Sequence, residues 1–182
     1  MIHKSVFLSY VFLISWCSSA QYSDRFQKLA KELQKVESRI DTLYYPNGSI
    51  WSIESYTIYA HDHRNVSYLS GRNIQYYRNG QVLNDILFDT YGIALTWSTY
   101  YRDGTKSSES STYEIDTSAK DLKEFLETDG HINIKKNVIE YRCDNNTKTL
   151  YIYKKGVTYN GKKFGLWLTY HEDGTVKREK IY

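Results

Sequence analysis

Asn160-Gly161-Lys-Lys-Phe164-Gly165-Leu-Trp167-Leu-Thr-Tyr170-His-Glu-Asp173-Gly174-Thr-Val-Lys-Arg-Glu-Lys-Ile-Tyr182 sets an aromatic stretch between two tight-turn dipeptides. Asn-Gly and Asp-Gly between β-forming residues are the strongest short-range hairpin signal, because a two-residue hairpin turn puts positive φ at both central positions. From Phe164 to His171 side chains alternate across a sheet. Phe164, Leu166, Leu168 and Tyr170 are predicted to share the buried face, with Gly165, Trp167, Thr169 and His171 on the other. Gly165 is predicted to mark the close approach of a neighbouring strand. Thr175 to Tyr182, rich in Lys, Arg and Glu, reads as a terminal edge strand on which charge discourages further pairing.

Working outward, six of the ten glycines follow Asn or Asp. Five of these pairs, at Gly48, Gly80, Gly104, Gly161 and Gly174, lie between stretches of Tyr, Ile, Val, Thr and Trp and predict a meandering antiparallel sheet. Trp97-Ser-Thr-Tyr100-Tyr-Arg-Asp103-Gly104 matches Trp167-Leu-Thr-Tyr170-His-Glu-Asp173-Gly174 at identical offsets. Tyr76-Tyr-Arg-Asn79-Gly80 and Tyr44-Tyr-Pro-Asn47-Gly48 are weaker copies. The turn glycines are spaced 32, 24 and 70 residues apart, which fits an imperfect repeat of about 23 residues, interrupted once.

Residues 160–182 resemble the MORN-repeat variant of bacterial proteins in the toxin–antitoxin YwqK-type antitoxin family. The shared signature is a Gly-x-Trp-x-x-Tyr strand, an Asn/Asp-Gly turn and a charged return strand. The resemblance is good over 160–182 and fair over 92–113. It is poor over 44–60 and 71–89, where the Trp position holds Asp41 or Asn73. It implies a β-hairpin repeat with Trp97, Tyr100, Gly104, Gly165, Trp167, Tyr170 and Gly174 in structural roles. It implies no activity, and an antitoxin role suits an exported chain badly.

Two helices are predicted to cover the sheet. In residues 21–43, Phe26, Leu29, Leu33, Val36, Ile40 and Leu43 recur at helical spacing, with Ser23 or Asp24 as cap. This amphipathic helix is expected to lie on the sheet, with dimerisation as the sharper reading. A shorter helix is predicted over residues 118–128, capped by Ser118 with Asp121 and stopped at Asp129-Gly130. The fold class is therefore mainly β (α+β): one domain of tandem hairpins over residues 44–182.

Residues 1–20 read as a secretory signal. Lys4 precedes the apolar run Val6–Trp16, and Ser18-Ser19-Ala20 offers a cut before Gln21. The chain is then exported to the periplasm, outer surface or extracellular space. Ile14-Ser-Trp-Cys17 is an imperfect lipobox, so a lipoprotein anchored through Cys17 is the competing reading. Cleavage leaves Cys143 alone, a half-buried strand residue in this reading. Asn47-Gly-Ser49, Asn65-Val-Ser67 and Asn145-Asn-Thr147 fit the N-glycosylation pattern.

The 182 residues carry 24 Lys+Arg against 21 Asp+Glu, a balance that excludes a protein built to coat nucleic acid. His61-Asp-His63 could place two ligands on one strand face but lacks a third. No nucleophile elbow, His-Glu-x-x-His or phosphate-binding loop occurs. No catalytic residue, cofactor or metal is predicted. The chain has 19 tyrosines; Tyr45, Tyr59, Tyr77 and Tyr101 are the candidates for a partner surface. Lys154, Lys155, Lys162 and Lys163 flank one turn and read as a solvated hairpin tip. The expectation is a non-catalytic binding or scaffolding protein of the bacterial cell envelope whose partner is a protein or envelope component, with a homodimer as one form. Membrane contact is expected only through lipidation. The alternative is a small secreted hydrolase with an aromatic-lined cleft.

Overall fold

The structure, a computed structural model, describes residues 20–61, 64–126, 131–144 and 147–182. The leader expected at 1–19, Cys17, His63, Asn145 and the Asp129-Gly130 stop lie outside these residues. In chain order the elements are β1 (Gln21–Tyr22), α1 (Asp24–Ala30), β2 (Gln34–Tyr44), β3 (Ile50–His61), β4 (Arg64–Leu69), β5 (Gly71–Tyr76) and β6 (Val82–Phe88). They continue as β7 (Ala94–Tyr100), β8 (Lys106–Thr117), α2 (Leu122–Leu126), β9 (Ile132–Cys143), β10 (Leu150–Tyr159), β11 (Lys162–Tyr170) and β12 (Val176–Ile181). All the strands join one sheet in the order β12-β11-β10-β9-β8-β7-β6-β5-β3-β2; β1 adds in parallel to β8, and β4 pairs with β3. The antiparallel meander of MORN-like hairpins expected from the sequence is the observed fold.

All five Asn/Asp-Gly pairs assigned to hairpins join adjacent antiparallel strands. Their turn chemistry differs from the expectation in four cases. At Gly48, Gly80, Gly104 and Gly174 only the glycine has positive φ, between 83° and 85°, and the preceding Asn or Asp does not. Each glycine amide donates to the carbonyl three residues earlier, as in Gly104 to Tyr101 at 3.0 Å, and a register shift follows in the strand pairing. These are type I turns with a glycine bulge. The Asn or Asp side chain accepts the amide two residues on, as Asp103 does from Thr105 at 2.9 Å. Only Asn160-Gly161 places both residues at positive φ, 47° and 76°.

The N-terminal helix is shorter than its apolar periodicity predicts. Ser23 caps α1 by accepting the Phe26 amide at 3.2 Å, as read. The helix stops at Ala30, and residues 34–44 form β2. β2 pairs along its length with β3 across the Asn47-Gly48 turn. That non-local pairing overrides a helical pattern partly made of β-branched residues, which suit strands as well. The predicted stripe therefore ends in solvent: Val36 is 54% and Ile40 71% exposed. The dimerisation helix loses its element. In α2 the cap lies three residues later than read: Asp121 accepts the Glu124 amide at 2.9 Å, and Glu124 reaches back to the Lys120 amide. Ser118 instead donates to the His131 carbonyl.

The core sits at one corner. Phe26, Leu29 and Ala30 of α1 pack with Ile115 of β8, Phe125 of α2, Ile93 and Ala119. Helix-on-sheet packing is concentrated where α1 meets β8. Buried Asp89 braces the adjoining β6–β7 turn, accepting from the Tyr22 hydroxyl and from the Tyr91 and Ile93 amides, each at 2.8 Å. Further buried side chains, among them Thr57, Ile58, Tyr59 and Ile86, lie on β3 and β6, but across β10, β11 and β12 Trp167 is the one buried side chain.

Candidate binding surface

The faces of β11 are inverted relative to the sequence reading. Trp167 is buried at 5% exposure, whereas Phe164 and Leu166 are about half exposed, at 50% and 49%. Gly156 is the reason. A Cβ at Gly156 would lie 2.4–2.6 Å from three carbons of the Trp167 indole. Only glycine leaves that seat empty, and the strand pairing shifts register there. The indole N–H then donates to the Val157 carbonyl at 2.8 Å. The close approach predicted at Gly165 therefore occurs at Gly156. Gly165 has φ of 64°, has no atom within 4 Å of a would-be Cβ, and exchanges two backbone hydrogen bonds with Tyr182.

Trp167 organises cations. The Lys163 ammonium sits 4.4 Å from its ring centroid and 5.2 Å from that of Tyr182, and Lys180 lies 4.3 Å from the Tyr182 ring. Such contacts hold an ammonium in place without neutralising it. Lys180 stands opposite Trp167 in the ladder, and Arg178 opposite Thr169. With Lys154 and Lys177 these residues line a groove of about 300 Å³ that also includes Tyr153, and no Asp or Glu side chain lines it. Lys154 faces Glu140 at 4.0 Å, while Lys163, Lys177, Arg178 and Lys180 make no ion pair among the described residues. Partial desolvation raises the Tyr182 phenol, but the neighbouring Lys163 and Lys180 charges outweigh it and hold the group below its ordinary pKa. Beyond Tyr153, a second cleft of about 700 Å³ runs towards the β11–β12 turn, and Arg142 lies 3.4 Å over the Tyr153 ring.

Residues 150–182 carry seven Lys/Arg and three Asp/Glu, a local charge of +4 in a chain whose total is +3. The excess positive charge is thus confined to the last three strands. Of the lysines read as a hairpin tip, Lys163 and Lys154 belong to the groove.

Trp97, the counterpart of Trp167, is 39% exposed and donates to Asn84 at 3.0 Å. It stands opposite Ile86, the residue in the place that Gly156 takes beside Trp167. Tyr100 and Tyr170 are half-buried, with Lys106 and Lys155 over their rings. Gly104 and Gly174 are the turn glycines already described.

The four surface tyrosines divide. Tyr59 is buried, stacks on Tyr91 at 6.0 Å and donates to the Thr90 carbonyl at 3.0 Å; the surface role read for it is overturned by this packing. Tyr45, Tyr77 and Tyr101 open three successive turns. The Tyr45 hydroxyl donates to the Tyr76 carbonyl at 2.8 Å, and Tyr77 to Tyr100 at 2.9 Å. Arg78 and Arg102 cover the Tyr45 and Tyr77 rings. These two tyrosines stitch each hairpin to the next. Tyr101 is half exposed and has no such bond among the described residues.

Cys143, read as half-buried, is exposed. No group of three metal-ligating side chains occurs among the described residues. No described helix is long and apolar enough to cross a membrane, which leaves strands unaddressed.

The class defined by these observations is a tandem β-hairpin repeat sheet with one basic, aromatic end. A family model described as MORN repeat variant matches residues 42–57 and 165–182. The second match falls inside the stretch read as the fullest copy. The first falls on a copy read as poor, and residues 92–113 are not among those matched. The YwqK-type antitoxin family is not what this match returns. A solved DUF3836 family protein from Parabacteroides distasonis is similar over 69% of this chain and 89% of its own, with 15% identity and a TM-score of 0.18. No curated protein matches the chain.

Proposed function

We propose that the chain is a non-catalytic, exported binding protein of the bacterial cell envelope that meets its partner through the basic face of β10–β12. The observation that carries this is the row of cations over aromatic rings. Lys163 sits over Trp167 and Tyr182 and Lys180 over Tyr182, while Lys177 and Arg178 line the same groove, which has no Asp or Glu side chain. Such an arrangement supports recognition of negative charge. The repeat-model match supports a sheet built for binding rather than chemistry. Asp173, beside the second cleft, has a structural duty: it accepts the Thr175 amide in its turn. Export rests on the charged start, the apolar run and the small-residue cut site of residues 1–20. The likeness to the YwqK-type family stays a likeness of residues 160–182, and no antitoxin role comes with it.

Cell fractionation, mass spectrometry of the mature N-terminus and crosslinking in the envelope fraction test this reading. A chain beginning at Gln21, crosslinked to a partner in a way that Lys163→Glu with Lys180→Glu abolishes, is expected. An acylated Cys17 would replace secretion by anchoring. An uncleaved cytoplasmic chain, or crosslinking indifferent to both lysines, would overturn the proposal.

A further inference from the structure

The two ends of the strand order, β2 and β12, differ in character. β2 carries Lys35, Glu37, Arg39 and Asp41, and Arg39 pairs with Asp41 at 3.2 Å, so its charge is balanced within itself. β12 carries Lys177, Arg178 and Lys180 against Glu179, all exposed, and its cations make no ion pair among the described residues. It hydrogen-bonds to β11 alone, so its outer N–H and C=O groups are unpaired by the sheet. A charged edge repels a second basic edge, but the same charge attracts an acidic strand.

The two faces of β12 define what such a strand must look like. Arg178 and Lys180 stand opposite Thr169 and Trp167 and point to the groove face. Glu179 and Ile181 stand opposite Leu168 and Leu166 on the other. There Ile181 is 79% and Leu166 49% exposed, an apolar pair without cover. A strand added along β12 would place alternate side chains against Arg178 and Lys180, and the intervening ones against the Ile181 side.

We infer that the β12 edge accepts, as an added antiparallel strand, an extended segment of a partner protein in which acidic and apolar residues alternate. Main-chain hydrogen bonds supply affinity and the alternation supplies selection. Lys163 and Lys180, already seated over Trp167 and Tyr182, lose little freedom on binding, which favours the bound state. Nucleic acid fits less well, because its bases need open aromatic platforms and Trp167 is buried. This inference rests on the reading that β10–β12 is the binding face.

The test uses the full chain and a fluorescein-labelled acetyl-(Glu-Val)5-amide peptide, followed by anisotropy. The peptide is expected to bind, whereas (Lys-Val)5 is not. N-methylation of one alternate set of residues should weaken binding by about tenfold and of the other set leave it unchanged, since only one edge of the peptide meets β12. Arg178→Glu with Lys180→Glu should weaken it by at least about tenfold, and the milder Arg178→Gln with Lys180→Gln by less, with an unchanged circular dichroism spectrum in both. Three results would overturn the inference. One is no binding of the Glu-Val peptide. Another is binding indifferent to N-methylation, or matched by plain polyglutamate, which marks a diffuse polyanion surface. The third is self-association in sedimentation velocity that the peptide cannot displace, which gives the edge to a second copy. If the peptide fails while envelope crosslinking still depends on Lys163 and Lys180, the binding face stands and only its occupant is wrong.

Discussion

Phe26 and Trp167 are both buried aromatics, but they are buried in different ways. Phe26 is enclosed on several sides, with the rings of Phe125 at 5.1 Å, Tyr91 at 5.6 Å and Tyr22 at 5.0 Å, beneath two helices and against β8. Trp167 lies on its own sheet, in the gap left by Gly156, and is covered by the stem and ammonium of Lys163 and the edge of Tyr182. The first region buries apolar surface between layers, the main source of folding stability. The second shields a single layer with long charged side chains lying over aromatic rings. One region holds the molecule together, and the other leaves a charged edge available.

Phe26→Ala gives the largest effect. It opens a cavity at the junction of α1, α2 and β8 and is expected to cost about 3–5 kcal/mol in chemical denaturation, lowering the stability of the whole chain. Trp167→Ala should cost about 3 kcal/mol or less, with the loss concentrated in β10–β12. Gly156→Ala should cost about 1–3 kcal/mol by displacing the indole. Its signature is a red shift of Trp167 fluorescence in a Trp16→Phe, Trp51→Phe, Trp97→Phe background. Loss of the α1 core signals in the Gly156→Ala spectrum would erase the distinction between the regions.

Smaller effects sharpen the comparison along the row of turns. Tyr77→Phe removes the hydroxyl that ties one hairpin to the next and should cost about 1 kcal/mol. Tyr101→Phe, at the corresponding position where no bond follows, should fall within about 0.5 kcal/mol of the parent. Equal losses would show that the hydroxyl bridge does not couple the hairpins.

Acid should separate the regions by sign. Burial raises the Asp89 carboxyl above its ordinary value of 3.8, despite the Ile93, Tyr22 and Tyr91 hydrogen bonds that oppose it. Its stabilising contribution is present below 3.8 and is lost as pH rises through the folded value. The Asp173 carboxyl is lowered from 3.8 by hydrogen bonds from the Thr175 hydroxyl and amide. Its contribution is present above 3.8 and is lost as pH falls through the depressed value. Below pH about 4 the Thr175 amide should lose protection relative to Ile93, and Asp173→Asn should abolish that relative change. Parallel pH profiles at the two amides would contradict the opposite signs.

The turns were readable in the sequence because Asn-Gly and Asp-Gly act locally, through the positive φ that glycine tolerates. Even so, the dipeptide does not state which turn it makes: four of the five use positive φ at glycine alone. The face of β11 was not readable. Alternation ranks Phe164 and Leu166 as core, but the deciding residue, Gly156, lies on another strand and acts by having no side chain. For the same reason Trp97 and Trp167 look equivalent in sequence and are not, since Ile86 stands where Gly156 would be needed. β2 was misread because Val36, Ile40 and Leu43 continue the helical spacing of Leu29 and Leu33 while the strand that claims them lies beyond the next turn. Lys154 and Lys163 were visible as a charge run. Their convergence with Arg178 and Lys180 needed the β10–β12 ladder.

Residue-resolved native-state hydrogen exchange tests most directly whether stability is concentrated under the helices while the basic edge stays open. Amides of β8 beside α1 should exchange only at the free energy of global unfolding, and those of β12 and the facing half of β11 at a clearly lower one, through local opening. Equal protection of β12 and β8 would contradict it.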